Sequence, residues 1–281
     1  MREPVKPVVK TFDFDVQWKE ISEMSDFDFR KKLTAHRENV LKIIPYLKNE
    51  IPLDLFCTED TIEDVSRERL FLFECILIRS FRTDTVGEID GWSTIIANVM
   101  SVILDLYPDL FTAPASTMYH GDWVGGLMDH SLAVLEAAYA SANLYLDTPD
   151  NKVVELFPLW IVLHDLCKCN CYERTNKNRK NPDTGKWETV ECYSTRKDYV
   201  SENHGAESVS RIYELLLASD KFKYALKCRL NECWRLAICY HMGMYGLSDV
   251  DMTNYNNAKS KYPEVLLLHH ADMIASQIWK F

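Results

Sequence analysis

Long apolar runs are what this sequence most clearly lacks. Its longest apolar window, Ile95 to Leu106, is broken by Asn98 and Asp105 and falls short of the roughly 20 residues that a bilayer-spanning helix needs. No membrane partner is expected. The opening Met-Arg-Glu-Pro-Val-Lys-Pro has no apolar stretch of the secretory kind. A disulfide framework is missing as well. Nine cysteines is an odd number, spread without a repeating spacing, so reduced thiols and a cytoplasmic setting are expected. Cys167, Cys169 and Cys171 alternate, yet Cys-x-Cys is tighter than the gap in zinc fingers and no second pair follows at finger spacing. Zinc held by those thiols is therefore not expected. Positive charge is in deficit: Lys plus Arg number 32 against 42 Asp plus Glu, a formal net charge of −10. That disfavours duplex DNA as a partner and leaves room only for a local basic channel. It also suits a chain that neutralises some of its carboxylates with metal.

What is present is ordinary globular composition, 47% hydrophobic and 26% charged over 281 residues, enough for a sizeable core. Residues 1 to about 25 mix proline, aromatics and acids and read as an extended arm. From Asp26 to Asn49, Phe29, Leu33, Val40, Ile43, Ile44 and Leu47 recur at helical spacing, with His36 expected on the exposed side and Pro45 near the end. Pro52 closes that segment. A second helix is predicted from Thr61 to Arg79 behind capping residues at Thr58 to Thr61, and a third from Gly91 to Tyr107, stopped by Pro108. Nothing up to this point assembles a reactive group. Residues 1–108 are read as a helical N-terminal region and 109–281 as the part that carries chemistry.

The texture changes at Leu110. A loop of small and polar residues containing His120 leads through Gly125-Gly126 into a helix from Leu127 to Leu144, with His130 near its start. A helix from about Lys152 follows and carries His164-Asp165 and then Lys168. Burying an ionised carboxylate among Trp160, Ile161, Val162, Leu163 and Leu166 costs many kcal/mol unless a charge compensates it. A bound cation does so better than the neighbouring imidazole. On a helix, His164, Asp165 and Lys168 lean toward one side, which reads as a ligand pair with a phosphate-reaching amine one turn away. The helical period then fails. Asn181-Pro-Asp-Thr-Gly185 is a turn signal between two limbs, predicting a β-hairpin with Arg174, Lys177, Arg179, Lys180 and Lys186 along its first limb and tip. Those basic residues are candidates for screening an anionic substrate. Helices are predicted from Glu202 to Leu217, with His204 at the start, and from Asn231 to a close at His241-Met-Gly243. A loop holding Asp249, Asp251 and Asn254 to Asn257 precedes the last helix, Tyr262 to Trp279. Asp272 interrupts that apolar helix as a second carboxylate in need of a partner.

Each of these groups alone has a plainer reading: a capped Asp at a helix end, a structural His130, a solvated hairpin. Together, His130, His164, Asp165, His204, His241 and Asp272 lie on separate helices or their ends, in apolar surroundings. Imidazole and carboxylate donors suit Mn, Fe, Ni, Co or Zn, with Mg at a hydrated, carboxylate-rich site, and six donors exceed the needs of one tetrahedral zinc. The phrases Gly-Gly-Leu-Met-Asp-His130, Leu-His164-Asp-Leu-Cys-Lys168, Asn-His204-Gly-Ala-Glu-Ser, Tyr-His241-Met-Gly and Leu-His-His-Ala-Asp272 resemble the HD-domain superfamily of metal-dependent phosphohydrolases. Within it they are closest to bacterial and phage HD hydrolases and to the HD module of bacterial 3′→5′ exoribonucleases.

The resemblance spans Leu110 to Phe281 and implies an HD-type helical bundle there. With the hairpin and the helical N-terminal region read from the pattern, the expected fold is all-α, an HD-domain bundle with one inserted β-hairpin plus that N-terminal region. It implies one or two divalent transition-metal ions. His130, His164, Asp165 and Asp272 hold the first, and Asp165, His204 and His241 the second. The catalytic residues are then Asp165 and Lys168, with His204 or His241 moving a proton where not bound to metal. Substrate contacts are expected from Lys168 and His120 and, from the basic hairpin, Arg174 and Lys177. The implied reaction is hydrolysis of a phosphomonoester or phosphodiester in a small phosphorylated substrate, a nucleotide or short single-stranded nucleic acid. This chain departs from the binuclear members in having Tyr240-His241 where they often carry two histidines. It also shows no β-rich region of the OB-fold kind ahead of the motifs. The same residues fit two other readings, a di-iron HD oxygenase and a non-catalytic nucleotide-binding or host-interaction module. Iron-dependent oxygen consumption or binding without turnover separates them from hydrolysis.

Overall fold

A computed structural model describes residues 20–21, 23–48, 53, 56–81, 92–145, 157–181, 184–201, 203–218, 230–245 and 247–281. Most of the expected N-terminal arm, Pro52, the centre of the hairpin turn and the expected helix start at Lys152 lie outside the described residues. The elements run α1 (Asp26–Leu47), α2 (Glu59–Phe81), α3 (Trp92–Leu106), α4 (Gly126–Tyr145), α5 (Pro158–Val162), a 3₁₀ turn (Leu166–Lys168), β1 (Tyr172–Lys180), β2 (Trp187–Thr195), α6 (His204–Ala218), α7 (Glu232–Cys239), α8 (Asp249–Lys261), α9 (Pro263–Met273) and a π-helical turn (Ile274–Trp279). The fold is an all-α bundle with one inserted β-hairpin. Among the described residues, no helix is long and apolar enough to cross a membrane.

Helix α4 is the centre of the bundle. It is buried without a gap from Gly126 to Leu135 and is packed by α1, α5 and α9. A helix buried on every side must be apolar or small all round, and Met128, Leu132, Val134, Ala137 and Ala138 meet that demand. Each fully buried Leu, Val or Met there contributes roughly 1.5–3 kcal/mol. Helix α9 packs between α4 and α7, and α6 packs on α7 and on the 3₁₀ turn. The hairpin pairs Tyr172 with Thr195 through Lys180 with Trp187 in antiparallel register, and its largely exposed residues stand away from the core.

Helix α1 begins at Ser25, whose Oγ accepts the Asp28 N–H at 3.1 Å. Its buried stripe is Phe29, Leu33, His36, Val40, Ile43 and Leu47. His36 therefore lies in the core rather than on the exposed side, a correction that the spacing itself explains, since 36 is the position that completes the stripe. Its Nδ1 is 2.8 Å from Glu68 Oε2 and its Nε2 3.0 Å from Asp129 Oδ1. Carboxylates only accept, so both ring nitrogens donate and the ring is an imidazolium. Burial alone would lower its pKa, but hydrogen bonds to Asp129 and Glu68 raise it. A raised folded pKa gives stability that is complete below the unfolded value of about 6.5 and is lost as pH rises through the folded value. Chemical-denaturation midpoints should therefore fall as pH rises above about 6.5, and His36→Gln should flatten that fall.

The segment expected as a loop at Asp249 to Asn257 is helix α8. Few apolar residues mark it, since only Tyr255 and Ala258 are buried. Its ends decide the matter. Ser248 Oγ accepts the Asp251 N–H at 3.2 Å, Asp249 and Asp251 sit in the first turn, and Lys259 and Lys261 in the last, all favourable to the helix dipole.

Candidate metal centre

The His164-Asp165 doublet is not on a continuing helix. Helix α5 stops at Val162, and residues 163–165 form a turn before the 3₁₀ segment. Neighbours on an α-helix point about 100° apart, so two adjacent side chains cannot aim at one centre from a regular helix. The turn removes that conflict. In 3₁₀ geometry residues three apart eclipse, which brings Lys168 Nζ to 2.6 Å from Asp165 Oδ2.

Asp165, 2% exposed, is the hub. Its Oδ2 faces His164 Nε2 at 3.5 Å, His130 Nε2 at 3.6 Å and Lys168. Its Oδ1 faces His204 Nε2 at 2.7 Å and His241 Nε2 at 3.3 Å. Asp272 Oδ1 lies 3.1 Å from His130 Nε2. All six expected donors thus come together from α4, the α5 turn, α6, the end of α7 and α9. Burial pushes the Asp165 carboxyl up, but Lys168, His164 and His204 outweigh it and hold it well below the usual range. The Lys168 ammonium, disfavoured by burial, is held charged by Asp165.

Three imidazoles share one arrangement. His130 Nδ1 meets the Phe281 main-chain oxygen at 2.8 Å, His164 Nδ1 that of Ile161 at 2.7 Å, and His241 Nδ1 that of Ile238 at 2.7 Å. A carbonyl only accepts, so each Nδ1 carries its proton and each Nε2 turns its other face toward the carboxylates. Those three Nε2 atoms are buried and without hydrogen-bond partners. Burial drives the His164 pKa down to about 3, which keeps its Nε2 a bare lone pair facing an anionic oxygen. Imidazoles crowded around two buried carboxylates and one ammonium, with three ring nitrogens left without hydrogen bonds, call for a cation. This is how metal-ligating histidines are oriented, by a carbonyl behind the ring. Groups able to hold a metal ion are His130, His164 and Asp272; His164, Asp165 and His241; and Asp165, Cys167 and His204.

The chain is a helical fold, with a small hairpin, whose buried histidines and aspartates can chelate metal. No family model, curated protein or solved structure matches it.

His120 joins the rim, its ring centroid 4.9 Å from that of His130, with its pKa lowered to about 3 by burial, His130 and Lys168. Its loop folds against α4 because Gly126 has no side chain: a Cβ there would sit 2.0 Å from the Gly121 oxygen. Arg174 pairs with Glu191 across the hairpin at 3.4 Å and Lys177 is exposed on β1. Among the described residues, the ion pairs of the histidine cluster include neither of them.

Two contributors, Cys167 and Asp129, carry no signal of their place in the sequence, and the His269-His270 pair, whose role the sequence leaves open, finds one. Cys167 belongs to a donor group with Asp165 and His204, a partnership that Cys-x-Cys spacing does not announce. His269 donates from Nδ1 to the His241 main-chain oxygen at 2.7 Å and so buttresses the His241 turn. Asp129, beside His130, is buried in a charged network with Arg69 and His36. His270 bonds Tyr145.

The first turn of α6 meets the end of α7 backbone to backbone at Gly205, where a Cβ would lie 2.4 Å from the Cys239 oxygen and 2.5 Å from that of Ile238. This contact sets His204 beside His241, ring centroids 5.2 Å apart. Gly205→Ala should cost about 1–3 kcal/mol and push His204 off Asp165. A folded variant that binds less metal per chain, by elemental analysis, is the expected result.

Proposed function

We propose that the protein is a metal-dependent phosphohydrolase of the HD-superfamily kind, acting on a nucleotide or a short single-stranded oligonucleotide in the cytoplasm. The observation that carries the reading is the set of three buried, unpartnered Nε2 atoms converging on Asp165 and Asp272. His130, His164, Asp165 and Asp272 would hold one divalent ion, and Asp165, His204 and His241 a second. Such ions, when bound, supply Lewis acidity toward a phosphoryl oxygen and acidify water to near neutral pH.

The side chains do the rest. Asp165 presents one oxygen to each histidine group and keeps its charge because Lys168 lies 2.6 Å away. Lys168 also lends its ammonium to the charge that builds on the phosphoryl oxygens. His204, with 35% of its side chain exposed where the others are enclosed, is the group at the open edge, and when it does not hold the second ion it exchanges a proton with the leaving oxygen. His120 contacts the substrate at the rim, and Arg174 and Lys177 hold its outer phosphates from the hairpin.

The test is a purified protein loaded in turn with Mn, Fe, Ni, Co, Zn or Mg and assayed on mononucleotides, cyclic dinucleotides and short RNA. Release of phosphate or of a shortened nucleotide is expected with at least one metal. Stoichiometric metal with no turnover of any substrate would make this a binding module, and oxygen uptake by the iron form would make it an oxygenase.

A further inference from the structure

Resting on the reading that Asp165 is shared between two cations, we propose that its Oδ1 side is a mixed nitrogen, oxygen and sulfur site in which Cys167 ligates as thiolate beside His204. That side then takes a thiophilic divalent transition metal, zinc, cobalt or iron in preference to magnesium.

The geometry points there independently of any cysteine motif. Cys167 Sγ is buried 3.4 Å from His204 Nδ1 and 3.7 Å from its Nε2. Bonds of about 2.3 Å to sulfur and 2.0–2.1 Å to nitrogen at a tetrahedral ion leave the two donors about 3.5 Å apart. The sulfur, one imidazole nitrogen and one Asp165 oxygen all lie within 4.8 Å of one another. A further donor aims at the same place, the buried and unpartnered His241 Nε2, 3.3 Å from Oδ1. The sulfur's position is set from both sides of its own residue. The Cys167 N–H donates to Ser208 Oγ at 3.1 Å, and its carbonyl accepts from Tyr199 O–H at 2.9 Å. Ser208 lies one turn along α6 from His204, so the helix that carries the imidazole also fixes the thiol. Cys169 is buried but belongs to none of the donor groups, so the alternating cysteines part company here.

Without a cation, burial and the neighbouring Asp165 charge push the Cys167 thiol up to about 12, so it holds its proton. On ligation a sulfur–metal bond replaces the S–H bond and the proton leaves to solvent, with no change of oxidation state.

The experiment is a cobalt(II) titration of the full chain, followed by visible and near-ultraviolet absorption and by elemental analysis. Two equivalents are expected, one of them bringing a sulfur-to-cobalt charge-transfer band. Cys167→Ser should lose that band and keep the other equivalent, which reports that the variant is folded. Cys169→Ser should keep the band. A band that survives in Cys167→Ser, or two equivalents bound to the unaltered protein with no band at all, would overturn the thiolate and leave the shared-carboxylate reading standing. If the unaltered protein binds no cobalt, the metal centre itself fails and the thiolate with it.

Discussion

Asp165→Asn should empty the centre, lowering metal affinity by more than the ~10–100-fold typical of losing an outer-shell partner. The carboxylate presents Oδ2 to His130 and His164 and Oδ1 to His204 and His241, so one substitution removes the anionic donor from both sides. Asparagine keeps the shape and one acceptor oxygen but carries no charge and turns an N–H₂ toward part of the ring of imidazoles. It also leaves Lys168, 9% exposed, without its counter-charge. Breaking a buried pair in this way costs about 3–5 kcal/mol. The two losses are separable. Adding Lys168→Met to Asp165→Asn should recover most of the stability, read by denaturant unfolding, and recover none of the metal, read by elemental analysis. Metal bound as tightly by Asp165→Asn as by the unaltered protein would end the proposal.

Asp129→Ala should destabilise the protein by about 3–5 kcal/mol, because it strands a buried guanidinium. Arg69, 2% exposed, reaches Asp129 with Nε at 2.6 Å from Oδ1 and Nη2 at 2.7 Å from Oδ2. Trp123 Nε1 donates to Oδ2 at 2.8 Å and His36 Nε2 to Oδ1 at 3.0 Å, so each oxygen accepts two bonds. Burial pushes the Asp129 pKa up, but Arg69 and His36 more than reverse it and hold it below the usual carboxylate range. A depressed folded pKa gives stability present above the unfolded value of about 3.9 and lost as pH falls through the folded value, so the network fails only in strong acid. At about 2–4 °C per kcal/mol for a chain of this size, the melting temperature should drop by roughly 6–20 °C. Asp129→Ala combined with Arg69→Met should melt well above Asp129→Ala alone, because no charge is left unpaired. Equal melting of the two would show that the ion pair is not what the core depends on.

How much of this was legible follows from range. Periodicity and end signals are local, so α1, the hairpin register zone and the closing helix could be read from neighbours in the chain. Helix α8 was missed because its signal lies in Ser248 and the end charges, not in an apolar stripe. The stop at Val162 was missed because nothing local forbids the helix from continuing. His164 turns out of it to donate to the Ile161 oxygen, and Asn170, at a φ of 56°, donates to Asp109 Oδ2 at 2.7 Å, 61 residues earlier in the chain.

By itself the sequence determined the helical class, the hairpin and the residue types of the centre, because a carboxylate set among apolar neighbours and scattered histidines already demand compensation. Only the tertiary structure decided which nitrogen each histidine turns inward, that Cys167 faces His204, and that His36 and Asp129 are core groups. Those outcomes depend on a carbonyl or a counter-charge brought from a distant segment, from Phe281 to His130 and from Arg69 to Asp129. No spacing along a chain encodes such a meeting, since it exists only once the helices have packed.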